Sequence, residues 1–234
     1  MKIRGILFDK DGTLLDYWKT WVPINRTIAM FAAGGDARLA AELLRAGGHD
    51  PETDRVASGT VLAAGSHDEI AGVFASVLKE RTPRDLAVHI ERLFREGGAK
   101  HSVLIDGVMD VVRQLAARGV RMGVATNDSI GGLEASLAPH GLLGEFMFLA
   151  GCDSGYGAKP EPGMALAFCE AAGLEPRAVA IVGDAVHDLE MGRRAGLGLK
   201  VGITTGTSSR VDLAPHADVV LEGLGELLRI EGVG

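Results

Sequence analysis

Cysteine is almost absent: Cys152 and Cys169 are the only two among 234 residues. A disulfide framework needs more, and the pair is not spaced as zinc ligands are, so both read as small packing residues in a reducing, cytoplasmic setting. Clustered cations are lacking too. The formal net charge is −7 and no Lys/Arg block is available to follow a phosphate backbone, so nucleic acid is not expected as a partner. The first apolar stretch, Gly5 to Phe8, is cut off by Asp9. That is too short for a signal-peptide core or a membrane span, and no membrane partner is expected. The seven histidines show no metal-ligand spacing, and there is neither an internal repeat nor a low-complexity tract. What remains is an ordinary globular composition, 47% hydrophobic, long enough for one large domain or a core carrying a smaller insert.

Short apolar runs alternate with amphipathic segments along the chain. Ile6–Phe8, Gly123–Ala125, Phe146–Leu149, Val179–Val182, Leu199–Ile203 and Val219–Leu221 read as brief, mostly buried strands. Between them, Asp106 to Arg118 carries Val108, Val111, Val112 and Leu115 as the stripe of a surface helix ending at Gly119, and Pro162 to Ala172 behaves likewise before Gly173. Parallel strands need crossover connections, so this alternation predicts an α/β fold: a Rossmann-like parallel sheet core with helices on both faces.

One region breaks the pattern. From Tyr17 to Lys100 no strand is legible, only helical periodicity over Arg38–Arg45, Glu69–Lys79 and Asp85–Phe94, separated by Gly34-Gly35, Gly47-Gly48, Gly97-Gly98 and polar breaks. Residues 17–100 therefore read as an inserted all-helical domain, and residues 1–16 with 101–234 as the catalytic core. Gly97-Gly98 lies in the returning connection, where it would serve as a hinge.

Charge collects at the strand ends. The stretch FDKDGTLLD places Asp9 and Asp11 directly after the first strand, Thr126-Asn127-Asp128 follows the second, Lys159-Pro160 the third, and Gly183-Asp184 with Asp188 the fourth. In open α/β sheets ligands bind outside the carboxyl ends of the strands, so these four clusters are expected to converge on one site.

In this order the motifs resemble the haloacid dehalogenase superfamily, in its phosphatase branch: Asp9-Lys10-Asp11-Gly12-Thr13, Thr126, Lys159 and Gly183-Asp184-Ala185-Val186-His187-Asp188, together covering about residues 1–225. The insert after the first motif resembles that family's helical cap of the first type. The resemblance implies a phosphomonoesterase in which Asp9 attacks phosphorus to form an aspartyl-phosphate, Asp11 serves as general acid and then base, and Lys159 is the catalytic cation. It implies phosphate binding by Gly12, Thr126, Asn127 and Lys159. Mg²⁺ is the implied cofactor, on Asp9, Asp184, a carbonyl of Asp11, and Asp188 as ligand or support. A small phosphorylated metabolite is the implied partner, phosphoglycolate the first expectation, and the protein a monomer or homodimer.

Other residues fit less directly. Lys10 replaces the apolar residue often found between the two aspartates, and strand alternation predicts that it points away from the site and pairs elsewhere. Trp18, Trp21 and His187 read as packing or surface residues. Within the insert Arg26, Arg45, His49, Arg55 and His67 are equal candidates for substrate contact.

Competing readings differ in what they require. Haloalkanoate dehalogenation and phosphonate hydrolysis lack an aspartate at the position of Asp11. A phosphosugar mutase shares every core motif. A response-regulator-like signalling module gathers similar residues at a sheet edge, but it is about half this length and has no helical insert.

Overall fold

The computed structural model describes residues 2–233. Six strands form one parallel sheet: β1 (Gly5–Phe8), β2 (Arg121–Ala125), β3 (Phe148–Ala150), β4 (Val179–Gly183), β5 (Leu199–Ile203) and β6 (Val219–Leu221). All six expected runs become strands, with ends moved by no more than two residues. Their spatial order is β3-β2-β1-β4-β5-β6, so β1 and β4 lie side by side at the centre. The chain fills one side of β1 with β2 and β3, then crosses to the other with β4. That reversal creates a crevice at the carboxyl ends of β1 and β4, where ligand sites form in such sheets.

Side chains alternate cleanly across the sheet. Ile6, Phe8, Ala180 and Val182 enter one apolar cluster, covered by α6 (Val108–Ala117) and α7 (Ile130–Leu137) through Val111, Val112, Leu115, Leu133 and Leu137. Leu7, Val179 and Ile181 enter the opposite cluster, covered by α8 (Gly163–Ala172) and α9 (Val186–Arg194) through Met164, Phe168 and Met191. Both faces of β1 and β4 are thus buried, which is why their sequences are continuously apolar rather than alternating. The short α10 (Arg210–Leu213) precedes β6.

Between Tyr17 and His101, ahead of α6 and β2, the chain forms α1 (Tyr17–Ala32), α2 (Ala37–Ala46), α3 (Val61–Ala64), α4 (His67–Leu78) and α5 (Leu86–His101) and no strand of the sheet. Three of these starts are marked by side-chain caps, Asp16 on α1, Asp36 on α2, and Ser66 with Glu69 as a reciprocal box on α4. Ile28, Leu43, Phe74 and Ile90 are fully buried in an apolar cluster that takes no residue from the sheet. Burial of each such side chain contributes about 1.5–3 kcal/mol, so the helical segment carries a core of its own.

The glycine pair 97–98 is not a break. α5 continues through it to His101, seven residues past the expected end at Phe94. A Cβ on Gly97 would lie 2.8 Å from Ile24, and one on Gly98 would lie 3.2 Å from Ser136 of α7. The glycines let α5 approach α1 and α7 closely, so close packing replaces the expected hinge. No helix among the described residues is long and apolar enough to cross a membrane.

Candidate active site

The first of the converging residues are carboxylates on neighbouring strands. Asp9 leaves the end of β1 with its N–H bonded to Val182 of β4 at 2.8 Å, and Asp184 follows β4 immediately. Lys159, in the loop between β3 and α8, reaches both ends of the crevice: its Nζ donates to Asp9 Oδ1 at 2.5 Å and to Asp188 Oδ1 at 2.6 Å. Asp188 sits in the first turn of α9, where its other oxygen accepts from the Ala185 N–H at 3.1 Å. All four side chains are buried.

Burial controls the electrostatics. It pushes the Asp9 carboxyl up to about 6, with Asp188 adding to the rise and Lys159 opposing it. Asp184 is raised well above the carboxylate range by burial, then by Asp9 and Asp188. Burial disfavours the charge of Lys159, but Asp188 and Asp9 outweigh it and hold the ammonium above the usual lysine range. Three buried carboxylates thus share one ammonium.

Asp9, Asp184 and Asp188 each offer an oxygen within 4.8 Å of the others, a group that could hold a metal ion. The donors are all oxygen, and the uncompensated repulsion among them is what a hard divalent cation relieves. The residues present therefore fit such an ion.

Asp11 stands beside this centre and is held from two directions. Trp21 Nε1 of α1 donates to its Oδ1 at 2.5 Å, and Lys10 Nζ lies 3.1 Å from its Oδ2. Burial raises its carboxyl to about 6, against the pull of Lys10. Lys10 does not point away from the site. It is fully buried, donates to Asp128 at 2.6 Å and lies 4.6 Å from the centre of the Trp21 ring. Asp128, in turn, lies 3.3 Å from His67 Nε2, which arrives from α4. Burial alone would raise Asp128, but Lys10 and His67 prevail and hold it far below the ordinary range.

The remaining motif residues build the floor. Gly12 has φ +82°, and a Cβ there would lie 2.7 Å from the Asp184 carboxyl and from Gly206, so both conformation and space require glycine. Thr126 Oγ1 accepts from the Asp128 N–H at 3.1 Å. The Asn127 side chain ties the floor together: its Oδ1 accepts from the Lys159 N–H at 2.8 Å, and its Nδ2 donates to Ala64 O of α3 at 3.2 Å.

Sequence reasoning missed the loop after β5. Thr207 N–H donates to Asp184 Oδ2 at 2.9 Å, and Thr205 Oγ1 donates to the Gly12 carbonyl at 2.5 Å. The run Thr204-Thr205-Gly206-Thr207 at a strand end, hydroxyl-rich around a glycine, was the available signal. Ser208 in the same loop shares a 2.8 Å hydrogen bond with Ser58 of the helical segment.

A cavity of about 650 Å³, its mouth included, opens above these residues. The helical segment supplies its other wall, with Tyr17, Trp21, Val61, Ala63, His67 and Phe94 among the lining. Of the five equal candidates in the insert, His67 alone lines the cavity. Arg26 and His49 are bonded to Asp54, and Arg45 to Glu52. His187 also lines it, and burial lowers its proton affinity, with Lys159 adding to the effect.

An open parallel sheet with an acidic, lysine-bridged centre at its topological switch, roofed by inserted helices, defines an α/β enzyme of the hydrolase kind. The family model described as haloacid dehalogenase-like hydrolase matches residues 3–196, and the chain belongs to that family. It is 28% identical over 196 residues to the N-acetylmuramic acid 6-phosphate phosphatase of Pseudomonas putida, covering 84% of this chain and 81% of that protein. It is 26% identical over 249 residues to the phosphoglycolate phosphatase of Escherichia coli, covering 99% and 93%. A solved structure described as a predicted phosphoglycolate phosphatase, from Haemophilus somnus, superposes with a TM-score of 0.74 at 20% identity, covering 98% of each chain.

Proposed function

We propose that this protein is a Mg²⁺-dependent phosphomonoesterase acting on a small phosphorylated metabolite through an aspartyl-phosphate on Asp9. The observation that carries this reading is the Lys159 bridge between Asp9 and Asp188 beside Asp184, with Asp11 two residues away in the same cavity. The names of the relatives, both phosphatases, support it.

Asp9 Oδ attacks phosphorus while the bond from phosphorus to the ester oxygen breaks. Asp11 gives that oxygen its proton, a task suited to a carboxyl held near 6. Water then attacks the phosphorus of the aspartyl-phosphate and passes its proton to Asp11, releasing phosphate and restoring Asp9. Lys159 orients Asp9 and offsets charge on the phosphoryl oxygens, and Thr126, Asn127 and the turn at Gly12 form the phosphate cradle. Mg²⁺ held by Asp9, Asp184 and the Asp11 carbonyl, with Asp188 alongside, would supply the positive charge that lets an anionic ester approach a carboxylate. Residues 17–100 act as a cap, joined to the core by the Asn127–Ala64, His67–Asp128 and Ser58–Ser208 contacts. Closure of such a cap shields the acyl phosphate from bulk water.

The test is release of inorganic phosphate from p-nitrophenyl phosphate. Activity should need Mg²⁺, cease in EDTA, return on adding Mg²⁺, and be lost in Asp9→Asn. Full activity in chelator would refute the reading.

A further inference from the structure

The cap side of the cavity is chemically one-sided. Tyr17, Trp21, Val61, Ala63 and Phe94 present aromatic and aliphatic surface, and no Lys or Arg of the helical segment lines the cavity among the described residues. Across it stand five carboxylates, Asp9, Asp11, Asp128, Asp184 and Asp188; the fully buried Lys10 is taken up by Asp11 and Asp128, and Lys159 is the one lysine or arginine of the lining itself. Lys159 is committed to Asp9 and Asp188 at the phosphoryl end. His67, the helical segment's one imidazole in the lining, is matched by Asp128 at 3.3 Å.

A second anionic group on the substrate would therefore meet apolar surface on one side and carboxylates on the other. It would lose its water without gaining a counter-charge, which is strongly unfavourable. An uncharged leaving group with hydroxyls at its edge and a hydrocarbon face loses little by the same transfer, and aromatic walls suit that face.

Resting on the phosphatase reading, we infer that the substrate is a phosphate monoester of an uncharged alcohol, a neutral polyol or sugar, rather than of a hydroxy acid. The cap selects against carboxylates by offering them no cation. Phosphoglycolate, the expectation from the sequence, is then a poor substrate for this chain.

The experiment compares kcat/KM, with Mg²⁺ present, for sn-glycerol 3-phosphate and glucose 6-phosphate against 2-phosphoglycolate and 3-phosphoglycerate. The neutral leaving groups should be favoured by about tenfold or more. Equal or better turnover of the two carboxylate esters overturns the inference and leaves the phosphatase reading intact. Failure to release phosphate from any of the four or from p-nitrophenyl phosphate overturns both. A gain-of-charge variant supplies the second arm: Ala63→Lys, or Val61→Lys should the first not fold, should shift the kcat/KM ratio toward 2-phosphoglycolate by about fivefold or more. A ratio unmoved in a folded variant counts against a wall that discriminates by charge.

Discussion

Replacing Lys10 by methionine isolates the feature least expected of this site. The wild-type ammonium is fully buried, 2.6 Å from Asp128 and 3.1 Å from Asp11. Methionine keeps most of the volume but leaves Asp128 with the His67 imidazole at 3.3 Å as its remaining side-chain partner across the cavity. Removing one member of a buried ion pair costs about 3–5 kcal/mol, because the other charge stays desolvated. At about 2–4 °C per kcal/mol for a chain of this size, Lys10→Met should lower Tm by roughly 6–20 °C. Adding Asp128→Asn removes the stranded charge, so the double variant should be more stable than the sum of the single effects by about 1 kcal/mol or more. Urea denaturation of the wild type, both single variants and the double variant gives that coupling directly. Additive effects, or a Lys10→Met protein within about 1 kcal/mol of wild type, would refute the buried-pair account.

Three further outcomes follow from particular contacts. Asp128 is held far below its ordinary range in the fold, so its stabilisation is complete above the unfolded value near 4 and is lost as pH falls below it. Asp128→Asn should therefore flatten the acid side of a stability–pH curve measured by thermal melting, and an unchanged acid limb would contradict the pairing. Asp184→Ala should raise the Mg²⁺ concentration needed for half-maximal phosphate release more than Asp188→Ala, whose loss should instead misplace Lys159 and lower kcat; the reverse order would reassign the two. Gly97→Val places a branched side chain where a single Cβ already lies 2.8 Å from Ile24, and should cost about 1–3 kcal/mol by overpacking, whereas a hinge glycine would change turnover with little loss in Tm.

The sheet was legible because each strand is a short apolar run bounded by turns, and both faces of the central strands are buried. The motifs at Asp9, Thr126 and Asp184 were legible because each stands directly after such a run, whereas Lys159 lies nine residues past the end of β3 and was placed by the order of the motifs. Lys10 was misread because the alternation that holds through Phe8 stops there. Its carbonyl accepts from the N–H groups of both Leu14 and Leu15, so the chain is already turning and the side chain reaches Asp11 and Asp128. Gly97-Gly98 carries the propensity of a break, yet packing against Ile24 and Ser136 keeps it helical. The choice of His67 over the four other candidates in the helical segment lies wholly in tertiary structure, since only the fold decides which face of that segment meets Asp128. The Thr205–Thr207 loop has no periodicity to mark it, and its role emerges only where it closes on Asp184 and Gly12.

The claim on which the mechanism turns is that Asp9 carries the phosphoryl group. Asp11→Asn should slow release of the intermediate while p-nitrophenyl phosphate, which needs little acid assistance, still loads it. Acid quench of that variant with Mg²⁺ and p-nitrophenyl phosphate, followed by proteolysis and mass spectrometry, should show one added phosphoryl group on the peptide containing Asp9, and none when Asp9 is also replaced by asparagine. A phosphoryl group on any other residue, or one that persists in the Asp9→Asn protein, would contradict the account.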